Sequence, residues 1–130
     1  MMLDDVASYL TAYGATDVNW PIYKGFLPDD ASQAIAVFET GGYPPDTMER
    51  ESENVTFQLR VRAARLDYVV GRAKWKQIFD LLQDAQHTTS PTYLSGYTFI
   101  QALHFGPLAF SDDKGRPNFC TNWRVKKARS

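Results

Sequence analysis

Val55-Thr56-Phe57-Gln58-Leu59-Arg60-Val61-Arg62-Ala63 decides how this chain folds, because every odd position is apolar and every even position polar. That period of two is the signature of a strand with one buried and one wet face. The four large apolar side chains, at roughly 1.5 to 3 kcal/mol each when fully buried, require cover. The run from Leu66 to Asp84 supplies it: it contains no proline, and at about 100° per residue Tyr68, Gly71, Trp75, Ile78, Phe79 and Leu82 share one stripe. That stripe is expected to lie on the Phe57/Leu59/Val61 face. Gly71 costs a helix up to about 1 kcal/mol relative to alanine, so close approach of helix and sheet backbones is its expected justification. Leu66, Val69, Val70 and Ala73 form a second apolar patch on the other side of the helix. A helix apolar on two sides needs two partners, and the second is either a neighbouring subunit or the chain's own N-terminal helix.

Outward from this pair, Leu3, Val6, Leu10 and Tyr13 have helical spacing over residues 2–13, with Gly14 at the C-cap position. A strand is expected from Ile22 to near Phe26, after Pro21 has broken the preceding apolar run, and Pro28-Asp29-Asp30 is a turn. Ala34 to Glu39 is a near-continuous apolar run of strand length, suited to the middle of a sheet. From Thr40 to Asn54 the pattern stops, and Gly41, Gly42, Tyr43, Pro44 and Pro45 lead into Asp46, Glu49, Glu51 and Glu53 with Arg50 among them. A loop of this length in a small domain is expected to be functional or disordered. Gln83 to Pro91 is polar and closes the helix. Tyr97 to Phe105 reads as a strand broken by Pro107 and resumed at Leu108-Ala109-Phe110; a turn over residues 111–117 then leads to a last alternating strand around Phe119, Thr121, Trp123 and Val125. The two make a long C-terminal hairpin. The sum is α+β: a mostly antiparallel sheet of five or six strands with helices packed on one face.

The 130 residues suit a single domain over 1–130, and a net charge of -1 gives no global reason to expect nucleic acid or an anionic membrane as partner. The one cysteine, Cys120, excludes an intramolecular disulfide and any site built from several cysteines. The N-terminus is acidic where a secretory leader would be basic, and no apolar run is long enough to span a bilayer, so a cytosolic origin is expected.

Catalytic signals are weak. His87 lies in a polar turn and His104 in a strand, with no Asp, Cys or Ser motif beside either. Asp29/Asp30 and Asp112/Asp113 sit in turns where aspartate hydrogen-bonds the backbone, which outweighs a metal-binding or acid–base reading. There is no phosphate-binding glycine loop, nucleophile elbow or zinc spacing, so no catalytic, metal-binding or cofactor-binding residue is assigned. The interaction signals are stronger. Arg60 and Arg62 project from the strand face opposite the helix, as a solvated face, as partners for a neighbour's carboxylates, or as phosphate contacts in a channel. The basic end of the chain, with Arg124, Lys126, Lys127 and Arg129, is opposite in sign to the 46–53 loop, which suits head-to-tail contacts between identical copies as readily as two solvated charge runs.

Ile22-Tyr23-Lys24-Gly25-Phe26-Leu27-Pro28-Asp29, Ala34 through the Thr40-Gly41-Gly42-Tyr43-Pro44-Pro45-Asp46 loop, Phe57 to Arg62, Asp112 to Phe119 and Asn122-Trp123-Arg124-Val125 together resemble the minor capsid or tail terminator proteins of long-tailed bacteriophages and prophages. The segments keep the family's order and cover most of the chain, with the Thr-Gly-Gly-Tyr-Pro-Pro-Asp loop the most specific. The helix departs from the pattern, having Gly71-Arg72-Ala73-Lys74 in place of a more acidic run. The resemblance implies a non-enzymatic assembly protein of the virion head–tail junction, assembled in the host cytoplasm. It would form a homo-oligomeric ring, expected to be a hexamer, that caps the tail tube and meets the head connector or portal adaptor while DNA passes through. A head-completion or stopper protein on the portal side of the neck is the alternative, and a small hydrolase or nuclease a more distant one. Leu66, Val69, Val70 and Ala73 are then the candidate subunit interface. Residues 40–54 are the first docking element and the tip at Asp112, Asp113 and Lys114 a second; Arg60, Arg62, Arg124 and Lys126 are candidate channel or inter-subunit charges.

Overall fold

The structure is a computed structural model, and it describes residues 2–29, 32–40, 52–84, 97–103 and 106–128. Helix α1 (Met2–Ala12) is followed by β1 (Ile22–Lys24), β2 (Ala34–Thr40), β3 (Ser52–Arg62), α2 (Tyr68–Asp84), β4 (Tyr97–Ala102), β5 (Leu108–Ser111) and β6 (Pro117–Ala128). The strands form one mixed sheet in the order β1-β2-β3-β6-β4, with β5 also on β6, and every pairing except β1 with β2 is antiparallel. The architecture is α+β, as the alternation of the strands and the spacing of the helices require. β4 and β5 pair in succession along the same edge of β6, so the strand interrupted at Pro107 and the last strand make the expected long hairpin.

Both helices lie on the sheet face formed by Ile35, Val37, Phe57, Leu59, Val61, Phe119, Trp123 and Val125, all fully buried. On α2 the expected stripe faces inward at Gly71, Trp75, Ile78, Phe79 and Leu82. Phe79 packs on Trp75 and on Trp123 with ring centroids 4.9 and 5.3 Å apart, and Phe57 stacks on Trp123 at 6.2 Å. The indole N–H of Trp75 donates to Thr121 Oγ1, which explains a hydroxyl at an inward strand position. A Cβ on Gly71 would stand 2.7 Å from Ala63 Cβ and from Phe119 Cε2, so the glycine is there for close approach, as its cost to the helix implied. α1 buries Leu3, Val6, Tyr9 and Leu10 on the same sheet and is tied to α2 by the Tyr9 hydroxyl, which donates to Leu81 O at 2.8 Å. Gly14, at φ 77°, closes α1 in a Schellman arrangement: its N–H donates to Thr11 O and that of Ala15 to Leu10 O.

Several boundaries differ from the periodicity. α2 begins at Tyr68, so Leu66 lies in the linker with a positive φ of 66°, its N–H donating to Gly115 O. Tyr68 keeps an edge-on contact with Phe119 at 5.0 Å but remains more than half exposed at the helix start. Tyr13 falls past the end of α1 and is exposed. β1 stops at Lys24 because Gly25 turns the chain at φ 84°, leaving Phe26 exposed outside the strand. β3 begins at Ser52 and pairs with β6 before it meets β2, so residues 52–54 and Thr40 belong to strands and Glu53 sits in the β3 ladder opposite Lys127. Strand propensity read one residue at a time cannot detect pairing that a distant strand imposes.

Candidate functional site

The second apolar patch remains uncovered. Leu66 is 80% exposed, Val69 79% and Val70 49%, and Ala73 is exposed beside them. The N-terminal helix is not the cover: it lies beside α2 on the sheet, reaching it through Tyr9 and through Lys74, whose ammonium donates to Ala15 O at 3.0 Å. Leu66 is held outward at a backbone angle that costs a branched side chain on the order of 1 kcal/mol, which is an expense for exposing a leucine to water.

The opposite side of the sheet carries the arginines. Strand register puts Tyr23, Ala36, Phe38, Thr56, Gln58, Arg60, Arg62, Asn122, Arg124, Leu108 and Phe110 on this face. Arg62 is 4% exposed and its guanidinium donates to Pro28 O, while burial lowers its pKa from the ordinary arginine value. It therefore holds down the connection between the parallel strands β1 and β2. Arg60 and Arg124 are half-buried and retain surface. The Arg60 guanidinium lies 5.5 Å from the Phe38 ring and 5.6 Å from the Phe110 ring and donates to Gln58 Oε1 at 3.3 Å. Cys120 is buried on this face beneath Arg60, and burial raises its thiol pKa. Lys126 occupies the β6 position paired with Asn54 and Phe99.

The hairpin tip at 112–116 is folded against the chain. Asp112 Oδ1 accepts from the N–H groups of Lys114 and Arg116, and its Oδ2 accepts from Arg116 Nε at 2.8 Å. Arg116, buried, also donates to Asp29 O at 2.7 Å and pairs with Asp29 Oδ1 at 2.9 Å, and Lys114 pairs with the same carboxylate. Burial pushes the Asp112 carboxyl up, but hydrogen bonds from the Arg116 and Lys114 N–H groups and the Arg116 guanidinium outweigh it and leave the pKa low. The turn expected at Asp112 is present, and what the sequence does not show is the hold of Arg116 on Asp29, because nothing local marks a partner 87 residues away. Of the three tip residues, Asp113 alone is exposed without an ion pair among the described residues.

Gly41 to Glu51 of the first docking element, together with His87 and His104, lie outside the described residues. Among the described residues no three His, Cys, Asp or Glu side chains are gathered as a metal site would need, and no helix is long and apolar enough to cross a membrane.

The helix layer thus covers one side of the mixed sheet, with exposed apolar side chains at the start of α2 and an arginine-bearing surface on the other side of the sheet. A family model of the bacteriophage tail terminator protein matches residues 9–127, and the chain belongs to that family. Comparison with curated proteins gives no match. The family is structural, and it makes this chain a tail component of a phage virion.

Proposed function

We propose that this protein self-associates into a ring that caps the finished tail tube and stops its polymerisation. The ring presents its other face to the head connector or portal adaptor, and DNA passes through its centre. The observation that carries the reading is the uncovered patch at Leu66, Val69, Val70 and Ala73, in a chain that belongs to the tail terminator family. Apolar surface that a single copy leaves in water is what subunit closure buries. Patch and arginine face lie on opposite sides of the body, so one copy can serve two different neighbours, as a closed heterologous ring demands. The segment from Gly41 to Glu51, with Glu53 at the start of β3, and the exposed Asp113 at the hairpin tip are the docking elements.

The test is to incubate the purified protein with polymerised tail tubes and image the tube ends by negative-stain microscopy. Ring-shaped density at one end, with tubes that no longer elongate, is the expected result. Bare, growing tubes together with cross-links to the portal adaptor would place the protein on the head side of the neck instead.

A further inference from the structure

The sheet carries a short strand at each side, β1 and β5, and each pairs with one neighbour among the described residues. All four residues of β5 are exposed, Leu108 at 71%, and Leu108-Ala109-Phe110-Ser111 contains neither the proline nor the charge that ordinarily blunts an edge. The bonds around β5 show which of its backbone groups point outward. Ala63 N–H donates to Pro117 O, so alternate residues of β6 from Pro117 onward face β3, while Asn118 and Cys120 face Phe110 and Leu108 of β5. Ala109 and Ser111 therefore turn their N–H and C=O groups away from the sheet. On β1, Pro21 O accepts from Ile35 N–H and Gly25 N–H donates to Val37 O, so the ladder to β2 runs through the odd positions. Ile22 and Lys24 are left facing out.

We propose that these two edges join: β5 of one copy takes up β1 of a second copy, continuing the sheet across the subunit boundary. The proposal rests on the ring reading and names the strands that close it. Chain direction suits the seam. Every pairing from β5 through β6, β3 and β2 to β1 is antiparallel except the last, so in copies set side by side in one orientation β1 runs antiparallel to the β5 it meets. Length suits it too. Each edge offers two outward-facing residues spaced by one, which pairs Ala109 with Lys24 of the second copy and Ser111 with its Ile22. Phe110 then stands opposite Tyr23, both on the sheet face away from the helices. The seam covers apolar side chains that each copy leaves in water: Leu108 and Phe110 on one edge, and on the other Phe26, whose ring lies 5.3 Å from that of Tyr23. Tyr68 at the start of α2 meets Phe119, the partner of Ala109, so the open patch borders the same edge and one neighbour covers both.

The experiment uses the full chain. Chains carrying Tyr23→Cys are mixed with chains carrying Phe110→Cys under mild oxidation. A disulfide-linked dimer is expected in the mixture and in neither chain alone, since the native Cys120 is buried. Ala109→Pro is the second variant: its N–H faces away from β6, so proline leaves the strand in place, removes an edge donor and is expected to weaken self-association at least about tenfold in analytical ultracentrifugation. Thermal unfolding checks that each variant folds. Chains that associate without a mixed disulfide, or an Ala109→Pro chain that folds and associates like wild type, overturn the proposal and leave the ring reading standing. A disulfide in the Phe110→Cys chain alone shows two β5 edges meeting and also overturns it. Loss of tube capping in Ala109→Pro with self-association intact assigns the edge to the tail tube protein, and the proposal falls. A wild-type chain that never associates removes the ring reading as well.

Discussion

Gly71 of α2 sits so close to Ala63 at the end of the central strand that a side chain on it would place two Cβ atoms 2.7 Å apart. Phe119 Cε2 stands at the same distance, so neither neighbour is a flexible tip that can swing away. Gly71→Ala gains up to about 1 kcal/mol of helix propensity, but overpacking costs about 1 to 3 kcal/mol. The variant is expected to be less stable than wild type in chemical denaturation, and Gly71→Val more so. A Gly71→Ala chain more stable than wild type would mean that helix and sheet are further apart than this.

Trp75 and Val70 lie on opposite sides of the same helix, fully buried and half exposed respectively. Trp75→Ala removes the centre of the aromatic cluster and is expected to cost about 3 to 5 kcal/mol, read as early loss of the circular dichroism signal on heating. Val70→Asp should melt like wild type as a monomer yet fail to associate, because it places an uncompensated charge in the subunit contact. Identical melting and association in the two variants would refute the assignment of the helix faces.

Leu66 gives a prediction of two opposite signs. Asparagine tolerates the left-handed backbone better than leucine, so Leu66→Asn relieves strain on the order of 1 kcal/mol and the folded chain should be no less stable. The same change removes an apolar side chain from the patch, so association should weaken. Stability and association falling together would show that Leu66 serves the fold rather than the interface.

The carboxylates of Asp4, Asp29 and Asp112 all have lowered pKa values: Asp4 through the hydrogen bond from Lys24, Asp29 through that from Lys114, Asp112 through bonds from Arg116 that outweigh its burial. A depressed folded-state pKa gives stability that is fully present above the ordinary aspartate value and lost as pH falls through the folded value. Unfolding is therefore expected to become easier below about pH 4, and Asp112→Asn to flatten that dependence in acid denaturation followed by tryptophan fluorescence.

The central pair was legible in the sequence because local pattern and tertiary role agree there. The alternation from Val55 to Ala63 and the stripe from Gly71 to Leu82 both face the core that their periods imply. Gly71 announced the close approach by its cost. What escaped depends on distant partners: the pairing that draws Ser52 to Asn54 into β3, the turn at Leu66 fixed by Gly115, and the pinning of Asp29 by Arg116. For the candidate surfaces, the arginine alternation told which face Arg60 and Arg62 occupy, but not that Arg62 is spent on Pro28 while Arg60 is not.

Native mass spectrometry of the wild-type chain tests the central claim, that one copy exposes apolar surface which identical copies cover. The account predicts one discrete oligomer near six subunits, reduced to monomer by Val70→Asp. A wild-type protein that stays monomeric at every concentration and beside tail tubes would contradict it.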